Sequence, residues 1–147
     1  MCMEKNELVV DLMKISESGA PRRSAVLDRK RALVADDETS IARLIRMTLE
    51  RLGFEVETAR DGAEALDQIE SWRPDLLILD VMMPYIDGFE VLRRVRREHG
   101  DRVRIIMLTA KTEDGDVFRG YRNGADAYLT KPFNPAELAT FVRRIMN

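Results

Sequence analysis

The stretch Leu76-Leu77-Ile78-Leu79-Asp80-Val81-Met82-Met83-Pro84 decides how the rest of the chain is read. Four consecutive apolar residues end on one carboxylate, and a proline follows four positions later. A short continuous apolar run of this kind fits a strand buried on both faces, as in a parallel sheet. Proline has no amide hydrogen to give to a ladder, so the chain turns away soon after the acid. Asp80 is therefore expected at the carboxyl end of a buried strand, at the mouth of a loop. In open parallel sheets that edge is where ligands bind.

On either side of this run, strand-like and helix-like segments alternate. Residues 32–35, 55–59, 103–108 and 127–130 read as further strands, the second more polar and so nearer a sheet edge. Between them, apolar residues recur at helical spacing. Ile41, Leu44, Ile45 and Leu52 precede the stop at Gly53, and Ala63, Leu66 and Ile69 precede Pro74. Val91, Leu92 and Val95 mark a helix over residues 88–97, and Val117, Phe118 and Tyr121 a thinner one over 114–123. Leu138, Phe141, Val142 and Ile145 share one face of a last helix that starts at Pro135. Five such units predict an α/β fold, a doubly wound five-stranded parallel sheet of order 2-1-3-4-5, the flavodoxin-like arrangement.

Composition bounds the function. The 147 residues make one domain with room for a real core, and a net charge of −2 gives no general footprint for nucleic acid or membrane. One cysteine, Cys2, cannot close an internal disulfide, and no apolar run reaches transmembrane length. Glu4, Lys5, Glu7 and Asp11 interrupt any signal-peptide core. The expectation is a cytoplasmic protein with no membrane insertion. Residues 1–29 stand outside the repeating pattern and read as a mobile extension, leaving residues 30–147 as the domain.

The strand ends bring Asp36, Asp37, Asp80, Thr109 and Lys131 to one edge. Alone, each is an ordinary cap, turn or strand-end residue. Together they form a site in which three carboxylates repel one another until a cation joins them. Oxygen-only ligands, with the sole histidine (His99) elsewhere, point to a hard cation such as Mg²⁺. Mg²⁺, a lysine and a hydroxyl suit a phosphoryl group, and Asp80 is then the nucleophile.

Asp36-Asp37, the Leu77-Ile78-Leu79-Asp80 run with Met83-Pro84 and Asp87-Gly88, Leu108-Thr109-Ala110, and Gly124-Ala125-Asp126-Ala127-Tyr128-Leu129-Thr130-Lys131-Pro132-Phe133 together resemble the receiver domain of two-component response regulators. The resemblance covers about residues 30–146. It implies that Asp80 accepts a phosphoryl group from a histidine kinase or histidine phosphotransfer protein. It implies Mg²⁺ held by Asp37, Asp80 and the backbone carbonyl of Met82, with Asp36 acting through a metal-bound water. Thr109 and Lys131, with Ala110 beside them, would receive phosphoryl oxygens, and Tyr128 would be the aromatic switch that turns inward when Thr109 moves. A cis peptide between Lys131 and Pro132 is implied as well. The signal would then leave through the face of the 114–123 helix, the fifth strand and the last helix, with a phosphorylation-dependent dimer as one form of output. No enzymatic turnover is expected beyond self-catalysed phosphorylation and a slow self-dephosphorylation, because Met82 cannot position a water by strong hydrogen bonding.

Two other strand-end chemistries fit less well. A phosphatase of the haloacid dehalogenase type would want a second acid at position 82, where methionine stands. A flavodoxin-like cofactor binder would need a Gly/Ser/Thr phosphate loop where Asp36 and Asp37 lie. Because the sequence ends at Asn147, just after the last helix, the expectation is a single-domain regulator acting on a downstream protein target, without direct contact to nucleic acid. The alternative is a receiver separated from a DNA-binding or enzymatic effector domain.

Overall fold

The computed structural model describes residues 29–110 and 124–147. The elements run β1 (Arg31–Ala35), α1 (Thr39–Arg51), β2 (Glu55–Ala59), α2 (Gly62–Trp72), β3 (Leu76–Asp80), α3 (Gly88–His99), a 3₁₀ turn (Gly100–Arg102), β4 (Arg104–Ala110), β5 (Ala127–Lys131) and α4 (Pro135–Met146). All five strands are parallel, in the order β2-β1-β3-β4-β5. The short N-terminal apolar cluster and the helix expected over 114–123 lie outside the described residues.

Strand alternation explains why two layers of helices form. Leu33, Ala35, Leu77, Leu79, Ile105, Met107 and Tyr128 pack on one side with Ala65 and Ile69 of α2 and Phe89, Leu92 and Val95 of α3. Their neighbours Ala32, Val34, Leu76, Ile78, Ile106, Leu108 and Leu129 pack on the other with Ala42, Ile45 and Leu49 of α1 and Leu138 and Val142 of α4. A period of two sends successive side chains to opposite faces, and here both faces are covered. The strands of the middle read as unbroken apolar runs for that reason.

At their carboxyl ends, two strands reach further than the sequence suggests. β4 begins one residue later than expected but continues through Thr109 and Ala110, which pair with Thr130 and Lys131 of β5. The ladder thus carries three of the expected site residues into regular strand, where backbone pairing fixes their spacing. α3 likewise continues to His99 before Gly100 ends it. At the opposite end of β1, the Arg31 guanidinium lies 5.3 Å from the centre of the Trp72 ring and donates to the Trp72 carbonyl at 2.6 Å. Among the described residues, no helix is long and apolar enough to cross a membrane.

Candidate functional site

The site begins where β1 and β3 stop side by side. Ala35 pairs with Leu79, so the next residues, Asp36 and Asp80, emerge together. Both are buried, at 2 % and 5 % exposure, whereas Asp37 is exposed. Carboxylate oxygens of the three lie within 4.8 Å of one another, a grouping that could hold a metal ion. Asp36 Oδ1 accepts from the Glu38 amide at 2.9 Å, and Asp80 Oδ1 accepts from the Met82 amide at 3.3 Å. The other oxygen of each faces Lys131, whose Nζ is 3.1 Å from Asp36 Oδ2 and 3.4 Å from Asp80 Oδ2. Among the described residues, Asp36 Oδ2 is the buried side-chain oxygen left without a well-directed hydrogen bond, met by the Lys131 ammonium alone.

Burial first, and then the neighbouring Asp36 charge, push the Asp80 carboxyl up to about 6, with the Lys131 charge and the Met82 amide opposing them. Burial pulls Lys131 the other way, but the Asp80 and Asp36 carboxylates outweigh it and hold the ammonium above its usual range. The site is thus rich in acceptors and short of cationic charge. An orphaned buried oxygen beside an all-oxygen donor set is what a hard divalent cation would complete.

The loop after Asp80 is braced by its backbone. Val81 donates to the Leu108 carbonyl at 3.0 Å, and its own carbonyl accepts from Gly88 at 2.9 Å, closing the loop on itself. A Cβ at Gly88 would stand 2.3 Å from the Asp80 carbonyl oxygen, and one at Gly62 would stand 2.2 Å from the Ile86 carbonyl oxygen. No side chain fits at either point, so α3 and α2 both press on the loop through glycine. At its apex Ile86 N bonds to Pro84 O at 2.9 Å across Tyr85, whose φ is 69°. Such γ-turn geometry at a non-glycine residue costs about 1–3 kcal/mol. Met82 and Tyr85 project outward, 72 % and 90 % exposed.

Of the residues expected here, Asp36, Asp37, Asp80 and Lys131 come together directly. Thr109 is buried at the end of β4, with its hydroxyl 3.5 Å from the Ala110 carbonyl, a contact at the weak limit of hydrogen bonding; Ala110 is exposed. Tyr128 is not at this edge; it is buried in the core on the α2 and α3 side, paired with Met107 three residues before Lys131. The Lys131–Pro132 peptide is cis, as the resemblance implies. His99 pairs with Glu70 at 2.8 Å at the far ends of α3 and α2.

Sequence reasoning missed Glu38. Its Oε1 accepts from Lys131 Nζ at 3.4 Å, which adds a fourth carboxylate to the site. The available signal was a third consecutive acid at the point where β1 gives way to a helix.

The family profile described as "Response regulator receiver domain" matches residues 32–143. The chain is similar to the alkaline phosphatase synthesis transcriptional regulatory protein PhoP of Bacillus subtilis, 48% identical over 117 residues, covering 80% of this chain and 48% of that protein. It is 44% identical over 115 residues to the DNA-binding response regulator MtrA of Mycobacterium tuberculosis, covering 78% of this chain and 50% of the relative. The chain spans about half the length of these curated relatives. Among solved structures, the chemotaxis response regulator CheY4 of Vibrio cholerae superposes with a TM-score of 0.74 at 39% identity, covering 80% of this chain and 98% of that one.

Proposed function

Because this chain belongs to the response regulator receiver domain family, we propose that Asp80 is its phosphoryl acceptor and that a histidine kinase or histidine phosphotransfer protein is the donor. The observation that carries this reading is the buried Asp80 carboxylate, held 3.4 Å from Lys131 and grouped with Asp36 and Asp37. In the transfer, an Asp80 oxygen forms a bond to phosphorus as the phosphorus–nitrogen bond of phosphohistidine breaks. The leaving imidazole keeps the bonding electron pair and takes a proton from solvent. Mg²⁺, when bound, supplies charge neutralisation at the phosphoryl oxygens. Asp37, Asp80 and the Met82 carbonyl would hold it, and Asp36 would act through water. Lys131 and Thr109 would receive the phosphoryl oxygens, with Ala110 beside them.

The added charge of about −1.5 to −2 then changes what Thr109 and Lys131 face. In this reading the inward Tyr128 belongs to one of two states, and the surface around β5 and α4 carries the difference. The output we favour is contact with a downstream protein in the cytoplasm, without touching nucleic acid; the match to nearly all of CheY4, a chemotaxis response regulator, supports only that a unit of this extent can serve as a regulator. The match to half of PhoP and MtrA supports a second reading, a receiver that works with a DNA-binding domain. The size of the native protein on an immunoblot of source cells separates the two.

The acceptor role is tested with acetyl phosphate and Mg²⁺, followed by intact-protein mass spectrometry. Wild type is expected to gain one phosphoryl group and Asp80→Asn none. Equal mass gain in both proteins would overturn the assignment.

A further inference from the structure

We propose that Glu38 is a counter-ion brake on this site: by holding the Lys131 ammonium, it slows phosphoryl transfer to Asp80. The inference rests on the acceptor reading above and adds a residue to it. Glu38 Oε1 lies 3.4 Å from Lys131 Nζ and accepts from it, so Glu38 competes for the same ammonium that stands 3.1 Å from Asp36 Oδ2 and 3.4 Å from Asp80 Oδ2. The lysine that must answer an incoming phosphoryl group is therefore already engaged by a carboxylate that ligates nothing else in the described structure.

An independent observation comes from helix capping. Asp61, Asp87 and Asn134 each cap their helix by accepting the amide three residues on. α1 is the exception among the four described α-helices, since its N-cap is Glu38 and no side-chain cap bond forms. Glutamate is a poor choice at that position, where Ser, Thr, Asp and Asn are favoured. Capping does not explain Glu38, whereas reach does: its longer side chain bridges to β5. Its side chain is 60 % exposed, so the contact supports no core and substitution leaves the fold in place.

Three carboxylates, Asp36, Glu38 and Asp80, thus share one ammonium, with Asp37 grouped beside two of them, and the phosphoryl donor approaching them is itself an anion. Opening the Glu38–Lys131 contact is part of the barrier to transfer. An exposed, screened ion pair supports a rate change of about three- to fivefold.

The test compares rates of Asp80 phosphorylation by acetyl phosphate at saturating Mg²⁺ in wild type, Glu38→Gln and Glu38→Asp. Gln removes the charge. Asp keeps the charge but is one methylene shorter and suits the N-cap, so its carboxylate turns to its own helix. Both variants are expected to react about three- to fivefold faster than wild type, with the gain shrinking as salt is raised. A Glu38→Gln rate equal to or below wild type overturns the brake. A fast Gln variant beside an Asp variant that matches wild type overturns it too, because repulsion of the donor, not the lysine contact, would then set the rate. Absence of phosphorylation at Asp80 in wild type overturns the acceptor reading and this one with it.

Discussion

Arg96 and Lys131 each meet carboxylates at an end of the sheet, Arg96 at the amino ends of β4 and β5 and Lys131 at the carboxyl ends of β1 and β3. Around Arg96 the acceptors are well supplied with donors. Its guanidinium donates to the carbonyls of Gly124 (2.7 Å), Gly100 (2.7 Å) and Val103 (2.6 Å) and to Asp126 Oδ2 (2.8 Å), which also accepts from the Ile105 amide at 2.7 Å. Around Lys131, one ammonium is divided among three carboxylates, and among the described residues a buried oxygen of Asp36 has no well-directed hydrogen bond. The same residue types build a clasp in one place and an unsatisfied site in the other. What separates them is how many lone pairs find a donor, because a buried acceptor left without one is costly.

The strongest way to break this contrast is Arg96→Ala. It removes four donors at once and leaves Asp126 with one, so unfolding free energy should fall by about 3 kcal/mol. A urea titration measures it, and a loss under about 1 kcal/mol would show that the clasp is no clasp. Phosphorylation of Asp80 should survive the change.

Asp80→Asn should move stability the other way. The folded carboxyl is raised from the usual 3.8 to about 6, so its ionisation opposes folding. Below about pH 4 both folded and unfolded forms are protonated and nothing is lost. Between about pH 4 and 6 stability falls as pH rises, and above about 6 the full penalty, on the order of 2 kcal/mol, is present. Asparagine cannot ionise, so Asp80→Asn should be more stable by about that amount near pH 7.5 without Mg²⁺, and equal to wild type near pH 3.5. Thermal unfolding at the two pH values decides it; a variant less stable at the higher pH would mean the site is satisfied as it stands.

The smallest effect concerns the exposed Met82 side chain, which lies two residues past the acceptor. Replacing it with asparagine, which can orient a water, should speed loss of phosphate several-fold, under about 1.4 kcal/mol of barrier. Decay of the phosphorylated protein in Mg²⁺ measures this, and equal rates for Met82→Asn and wild type would leave the methionine without a kinetic role.

Much of this was legible before any coordinates. The Leu76–Leu79 run announced a doubly covered strand, and the acids and lysine that follow the strands met at one edge because parallel strands share a carboxyl end. Arg96 was harder to see, standing in the run Arg93-Arg94-Val95-Arg96-Arg97 among arginines of the same chemistry. Its position continues the row Phe89–Leu92 at helical spacing, and that row faces the core. Glu38 was masked by its place directly after Asp36 and Asp37, where an acid before a helix looks ordinary. Gly62 gave no hint at all, because its role is a close approach to Ile86, 24 positions away, which no local pattern encodes.

Trp72 carries a consequence of a spectroscopic kind. It is the chain's one indole, and it stacks on Arg31 at the start of β1, whereas Asp36 leaves that strand's other end. Five residues at about 3.3 Å each separate the two, or about 16 Å along the strand. Its emission is therefore a clean gauge of global unfolding and a spectator of the acidic site. A Mg²⁺ titration that leaves indole fluorescence flat while calorimetry registers heat is the expected pairing, and a large emission change would mean that the two ends of β1 communicate.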